Sequence, residues 1–395
     1  MSTAYKIMIV AGEASGDGHG ARLVSALRSS APDHDFEFFG AAGQAMRDTG
    51  VEAIVRADQL AVVGVLEIVR SLRTFLRAFR DLKKAAASRR PDLIVLIDFP
   101  DFNLKLAKSL SRKGHRVVYY ISPQLWAWRK YRKSVIRDHV DLLLTILPFE
   151  KGWYAEHRIT NVKYVGHPLS KEVESSLSKQ EFREKHGFEA DATLIALLPG
   201  SRQKELSTIL PIMIEAAARM SAVDAKLQFV VALASTRSED EAQTAIDSAR
   251  RRGIRLPANF RVVKDETYNA LNAADAAAVT SGTATLEAGI IGTPMAIVYK
   301  GSALNYRLLR PLIEVDHFGL INLIAGKRVA AELIQNDLTP ETLSTELNRL
   351  IEPQTNAQMR DELREASEKL GQGGASRRAA EEILKLLDEE EGPAL

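Results

Sequence analysis

Short apolar runs recur along the chain, spaced so that one helix fits between each pair. Ile7–Val10 reads as a β-strand, followed by a glycine-rich loop and a helix from about Asp17 to Leu27. Phe36–Phe39, Leu93–Ile97, Val117–Ile121, Leu142–Ile146 and Val162–Val165 read as further strands, with helical patterns between most of them. Unbroken apolar strands alternating with helices of about 10–15 residues predict a parallel sheet covered on both faces. The pattern then restarts. After the polar stretch Ser170–Ala192, Leu194–Leu198 is again a strand leading into a glycine loop and a helix. Phe229–Leu233, Phe260–Val263, Ala276–Val279 and Met295–Val298 complete a second set. The prediction is an α/β protein of two similar, doubly wound halves joined near Gly166–Ser178. The expected divisions are 1–168, a linker over 169–192, a second half over 193–355, and C-terminal helices over 356–395 that pack back on the first half or exchange between two copies. The acidic tail Asp388–Glu391 reads as solvated. Ligands of open parallel sheets bind beyond the carboxyl ends of the strands, so two such sheets facing each other are expected to line a central cleft.

Composition narrows the function. A chain of 395 residues suits two domains. Its formal net charge of +2 gives no global attraction for nucleic acid, so a charged partner has to be met by a local patch. The absence of cysteine excludes disulfides, cysteine-ligated metals and a thiol nucleophile. No cleavable signal is expected after Met1–Ala11, and the longest apolar stretch, Leu60–Val69, is broken by Glu67. No stretch is read as approaching the roughly 18 apolar residues that span a bilayer. The expectation is a protein that is soluble or lies on a surface.

Five stretches carry candidate chemistry. Gly12-Glu13-Ala14-Ser15-Gly16-Asp17-Gly18 follows the first strand. Its glycines let amides approach a ligand, and the next helix N-terminus favours anions. The alternative is a tight turn with Ser15 or Asp17 as N-cap, although Glu13 has no structural task there. In Pro199-Gly200-Ser201-Arg202, an arginine opens a helix beside amides expected to be free, a suitable phosphate clamp, or else an ordinary capped helix. Thr280-Ser281-Gly282-Thr283-Ala284-Thr285-Leu286-Glu287 offers small residues, helix amides and hydroxyls to a diphosphate, with Glu287 placed to accept from a ribose. It lacks the Gly-Lys-Ser/Thr of a P-loop, which fits a diphosphate leaving group better than phosphoryl transfer. In Ile97-Asp98-Phe99-Pro100-Asp101-Phe102-Asn103, Asp101 reads as the N-cap of the next helix, which leaves Asp98 available as a general base. Finally, Leu66, Val69, Leu72, Leu76 and Phe79 recur at helical spacing beside Arg70, Arg73, Arg77, Arg80 and Lys84. Such a helix either lies in a membrane interface or packs on a core with a solvated basic face. The run Trp126-Ala127-Trp128-Arg129-Lys130-Tyr131-Arg132-Lys133 adds aromatics and cations to the same half. His19, His167 and His317 show no metal-ligand spacing, and no metal–diphosphate motif is present. Asn322, polar within an apolar run, is a ligand contact or a satisfied cap.

Together these stretches resemble one family, lipid-A-disaccharide synthase. The carrying residues are Gly12–Asp17, Leu93–Asn103, Ile121–Arg129, Leu147–Lys151, Val165–Pro168, Leu197–Arg202, Ser281–Glu287 and Asn322–Gly326, in the family's order and over nearly the whole chain. Ile321 departs from the pattern, standing where the family usually has proline. The resemblance implies the GT-B fold of two Rossmann-like domains. It implies a glycosyltransferase that joins UDP-2,3-diacylglucosamine to 2,3-diacylglucosamine 1-phosphate, forms a β-1,6 linkage and releases UDP. The mechanism expected from the residues is a single inverting displacement in which preorganised donors replace a metal ion, with no cofactor. It also implies work at the inner face of a bacterial inner membrane, and it allows a homodimer with a swapped C-terminal region. On this reading Asp98 is the base, with Glu13 as second candidate. Gly200, Ser201, Arg202, Ser281, Gly282, Thr283, Ala284, Glu287 and Asn322 hold UDP. Ser15, Gly16, Val65, Val69, Leu72, Leu76 and Trp126 stand on the acceptor or lipid side. Two other readings remain: a UDP-sugar 2-epimerase on the same fold, and a non-catalytic binder of nucleotide sugar or lipid.

Overall fold

Seven strands build the first sheet: β1 (Ala4–Ala11), β2 (Asp35–Ala42), β3 (Glu52–Arg56), β4 (Leu93–Ile97), β5 (Val117–Tyr120), β6 (Leu142–Thr145) and β7 (Val162–Tyr164). All are parallel, in the order β3-β2-β1-β4-β5-β6-β7. β4, β5 and β6 are buried at every position, as unbroken apolar strands must be when helices cover both faces. The covering helices are α1 (Ala14–Ser30), α2 (Gln44–Asp48), α3 (Ile68–Arg89), α4 (Pro100–Ser111), α5 (Lys133–His139) and α6 (Glu150–Glu156). The second sheet holds β8 (Leu194–Leu198), β9 (Gln228–Leu233), β10 (Phe260–Lys264), β11 (Ala276–Thr280), β12 (Met295–Tyr299) and β13 (Glu332–Ile334), parallel in the order β10-β9-β8-β11-β12-β13. Its helices are α7 (Lys179–His186), α8 (Gln203–Val223), α9 (Glu239–Arg251), α10 (Thr267–Ala273), α11 (Thr283–Ile291), α12 (Leu320–Ala325), α13 (Pro340–Ile351) and α14 (Pro353–Glu368). The last helix, α15 (Ala375–Asp388), lies on α1, with Ala379, Ala380, Ile383 and Leu387 in the core of the first sheet.

The structure is a computed structural model that describes residues 4–57, 68–301 and 317–389, with backbone alone over 68–72. The chain forms two units, Met1–Pro168 with Gln372–Leu395, and Leu169–Gly371. In each, the winding reverses at one point: between β1 and β4 in the first, between β8 and β11 in the second. These are the positions where doubly wound sheets open a crevice for ligands.

The doubly wound pattern read from the sequence is present, with local differences. β3 and β13 were not anticipated, because edge strands are short and carry charge (Glu52, Arg56, Glu332) instead of an apolar run. α1 begins at Ala14, and neither Ser15 nor Asp17 is its cap. The buried Asp17 carboxylate instead accepts the amides of Gly43, Ala45 and Met46 at 2.7, 2.8 and 3.2 Å, capping α2 across the fold. Residues 169–192 hold α7, whose buried Arg183 donates to the carbonyls of Glu189, Ala190, Ala192 and Ala273 and pairs with Asp275. By length and composition α8 could cross a membrane, contrary to the reading that no stretch approaches that length. Its Leu206, Ile209, Leu210, Met213 and Ile214 are buried, and it packs on α9 and α13, as a core helix does.

Candidate active site

The first crevice is built by the loops after β1 and β4. Ala11 pairs with Ile97 across these strands, so Glu13 and Asp98 emerge close together. Asp98 and Phe99 both adopt left-handed backbone, at φ 45° and 51°. Such conformations are held only where the surroundings impose them, and they cluster at functional sites. Here the carbonyl of Asp98 accepts from Asn103 Nδ2 at 2.9 Å and from the Tyr119 hydroxyl at 2.6 Å, while its amide donates to Tyr120 at 3.0 Å. The Phe99 ring lies over Gly12, where any Cβ would stand 2.2 Å from it. Glycine is therefore required beneath the strained pair. Asp98 is partly buried. Burial, and then the charge of Glu13, push its carboxyl up to about 6, against the Phe99 amide that donates to it. A carboxylate so tuned is a competent base near neutral pH. Glu13 and Ser15 are exposed, and Gly16 is buried at the start of α1. His19 and His167, far apart in sequence, come within electrostatic reach of one another. Burial is the main reason each is held down at about 4, and Arg22 donates to His19 Nδ1 at 2.7 Å.

Three expectations for this unit are corrected. Asp101 does not cap α4, because Phe99 occupies the N-cap position. Asp101 lies within the first turn and takes Arg129, at 2.8 Å, and Arg132 on one oxygen. Trp126 is buried, donating to the buried Glu150 at 3.1 Å, and is not a lipid contact. Glu150 also accepts the Leu147 amide at 3.0 Å, and burial pushes it up to about 7. The exposed aromatics of that run are Trp128 and Tyr131. Finally, the apolar stripe on α3 divides. Phe79 packs edge-on against Phe102, and Phe75 stacks on Phe99, while Leu76 is 61% exposed beside Arg73, Arg77 and Arg80. Val65 lies outside the described residues, as do the side chains of Val69, Arg70 and Leu72.

The second crevice is built by the loops after β8 and β11. Gly200 has φ +109°, and a Cβ there would meet the Glu205 carboxylate at 2.5 Å. The amides of Ser201 and Arg202 are not free as expected. Glu205 Oε2 accepts both, at 3.1 and 3.2 Å, since a carboxylate three residues into a helix satisfies its unpaired donors. The Arg202 side chain is 81% exposed and touches Glu205. After β11, Gly282 at φ +150° precedes α11. The hydroxyls of Thr280, Ser281 and Thr285 donate to the carbonyls of Leu198, Phe318 and Gly282, which leaves Thr283 as the exposed hydroxyl. The amides of Thr283 and Ala284 meet no acceptor among the described residues. Glu287 is partly buried. Burial raises its carboxyl, and a hydrogen bond from Tyr268 opposes the rise. Tyr268, at the start of α10, escaped the sequence reading: only the packing of α10 on α11 brings it to Glu287. Asn322 is corrected from ligand contact to structural cap. Its Nδ2 donates to Ala330 and Glu332, and its Oδ1 accepts the amides of Val329 and Ala330. Ile321 lies in the first turn of α12, where a proline also fits, and its side chain covers Gly289.

Two doubly wound units with ligand loops at both switch points define the GT-B class. Its solved members include CalG4, the calicheamicin glycosyltransferase, at TM-score 0.58, 16% identity and 100% coverage of both chains. They also include the UDP-GlcNAc 2-epimerase from Neisseria meningitidis, bound to UDP-GlcNAc, at TM-score 0.62 and 11% identity, covering 98% of this chain and all of that one. The sequence is more specific than the fold. The profile of the family described as lipid-A-disaccharide synthetase matches residues 7–386. Relatives named lipid-A-disaccharide synthase are 43% identical over 96% of this chain and 97% of the relative in Syntrophus aciditrophicus, and 41% identical over 97% and 98% in Trichlorobacter lovleyi. The chain belongs to the lipid-A-disaccharide synthetase family. It is a glycosyltransferase.

Proposed function

We propose that this chain condenses UDP-2,3-diacylglucosamine with 2,3-diacylglucosamine 1-phosphate in one inverting displacement. Asp98 carries the reading: a strained, partly buried carboxylate, raised toward neutrality, at the switch point of the first unit. Its carboxylate takes the proton of the acceptor 6-hydroxyl as that oxygen bonds to the anomeric carbon. The bond to the β-phosphate breaks, and UDP leaves with the electron pair. Glu13 raises Asp98 and orients the acceptor, or takes the proton in its place. In the second unit the amides of Thr283 and Ala284, the Thr283 hydroxyl and the Arg202 guanidinium stabilise the charge that develops on the diphosphate. Glu287 accepts from the ribose.

The setting is the cytoplasmic face of a bacterial inner membrane, with peripheral attachment. Leu76, Trp128 and Tyr131 are exposed beside Arg73, Arg77 and Arg80, an arrangement suited to an anionic lipid surface.

The test is mass spectrometry of products from the diacylated UDP donor with and without the lipid acceptor. A disaccharide phosphate and stoichiometric UDP are expected only when the acceptor is present. An isomerised donor sugar without consumption of acceptor would favour the epimerase reading. Binding of both substrates with no product would favour a silent binder.

A further inference from the structure

Arg129 and Arg132 have no part in the chemistry above, yet they are held in a fixed arrangement. Both stand on the loop after β5, the strand next to β4 and Asp98. Arg129 NH1 and Arg132 NH2 donate to the same oxygen of Asp101, and each guanidinium lies over a ring: Arg129 over Trp128 at 4.1 Å, Arg132 over Tyr131 at 5.9 Å. Arg129 itself is left-handed at φ 53°. Four of the eight non-glycine residues with positive φ among the described residues (Asp98, Phe99, Ile121 and Arg129) fall in the loops after β4 and β5, so the strain collects here. Stability does not account for the cluster. Asp101 is 66% exposed, and ion pairs that open to water contribute little. The arrangement instead presents two planar cations that share one carboxylate oxygen. Each guanidinium has five N–H groups, which leaves donors for a second anion. Arg132 and Asp98 both act electrostatically on the buried Tyr119 hydroxyl, which donates to the Asp98 carbonyl. Arg132 therefore reaches the same hydroxyl that holds the Asp98 carbonyl.

We propose that Arg129 and Arg132 form a phosphomonoester subsite that reads the phosphate of the sugar acceptor, with Asp101 and the two rings holding the guanidiniums in register. This rests on the reading of the chain as a transferase to a phosphorylated lipid sugar. Guanidinium pairs suit a tetrahedral dianion because each offers two parallel donors. The subsite turns the acceptor so that its phosphate, at one end of the sugar, points away from the hydroxyl that attacks. It also rejects the donor's own sugar as acceptor, because that sugar carries no free phosphomonoester.

The experiment uses the full chain and two acceptors, 2,3-diacylglucosamine 1-phosphate and the same lipid without phosphate, with donor in excess. The wild type is expected to prefer the phosphorylated acceptor. Arg129→Gln and Arg132→Gln should each shrink that preference in kcat/KM by about 10- to 100-fold, as expected for lost charge-assisted hydrogen bonds, with UDP affinity retained. Arg132→Lys keeps the charge and loses the fork, so it should recover only part of the preference. Thermal unfolding identifies a variant that fails to fold, and the more exposed Arg129 then carries the test. Inorganic phosphate should compete with the phosphorylated acceptor in the wild type and lose that effect in the variants. Unchanged preference in folded variants overturns the subsite. So does loss of binding to phosphatidylglycerol vesicles with preference intact, which would assign the pair to lipid headgroups. A wild type that turns over neither acceptor removes the transferase reading itself.

Discussion

At the switch point of the first unit, two carboxylates follow neighbouring strands, the backbone under one of them is left-handed, and two arginines of the next loop are tied to Asp101. At that of the second unit, glycines precede helix amides, the partly buried Glu287 carboxylate is held by a tyrosine, and the arginine is exposed. The same topology thus carries different electrostatics. A carboxylate that gains a proton during reaction works best when burial and a like charge raise it, which is what Asp98 experiences. A site for a diphosphate works best with donors that need not move, which is what backbone amides supply. The contrast assigns proton transfer to the first unit and leaving-group stabilisation to the second, and it can be broken from either side.

The largest effect is expected at Asp98. Asp98→Asn should lower kcat by about 10²- to 10⁴-fold while UDP affinity holds, and near-full turnover would clear Asp98 of the role. In the wild type kcat/KM should fall as pH drops through about 6, where the base takes its proton. Glu13→Gln should move that limb to lower pH by removing the neighbouring charge. Stability should run the other way. The folded carboxyl is raised above the ordinary value of about 3.9, so the native state binds the proton more tightly than the unfolded chain. Its ionisation penalty is therefore absent below about 4 and fully present above about 6. Asp98→Asn should stabilise the first unit by about 1–3 kcal/mol at pH 7, a gain that shrinks toward pH 4, as read by denaturant unfolding. An activity loss accompanied by lower stability at pH 7 would point to collapse of the strained loop instead.

In the second unit the expected effects are smaller and fall on the donor. Glu287→Gln should raise donor KM about tenfold, with kcat changed much less. Tyr268→Phe removes the bond that opposes the rise of Glu287, so weakening of UDP binding should begin at higher pH than in the wild type. Calorimetric titration of UDP across pH reads both. Turnover should survive EDTA if amides and Arg202 replace a metal, and full loss restored by Mg²⁺ would assign that charge stabilisation to a metal ion.

What the sequence disclosed follows from what each residue meets. Strands such as β4 and β11 were legible because both faces are buried and every side chain is apolar. β3 and β13 were not, since an edge needs no such run. Glu13 and Asp98 were legible as carboxylates with no capping task at the ends of apolar strands. Asp17 was read only as a local cap, because its partners at Gly43, Ala45 and Met46 are distant in sequence. Tyr268 gave no signal for the same reason. Trp126 and Asn322 were misread because an aromatic in a basic run, or an amide in an apolar one, has the same spelling inside the fold as at a ligand. Glu150 decides for the first, and Glu332 with the backbone of Val329 and Ala330 for the second.

The smallest effect in stability tests the division of α3. Leu76 and Phe79 are three residues apart and belong to one stripe in the sequence, yet Leu76 meets solvent while Phe79 meets Phe102. Leu76→Ser should change unfolding free energy by no more than about 0.5 kcal/mol, whereas Phe79→Ser should cost about 2–4 kcal/mol through the cavity it leaves. Binding to phosphatidylglycerol vesicles should order the two the other way: Leu76→Ser, alone or with Trp128→Ser, weakens it about three- to tenfold in a folded protein. If Leu76→Ser unfolds the chain as readily as Phe79→Ser, both faces of α3 belong to the core, and the attachment assigned to the first unit must come from elsewhere. If it neither unfolds the chain nor alters vesicle binding, exposure at Leu76 has no lipid counterpart. The contrast between the units would then rest on their chemistry alone.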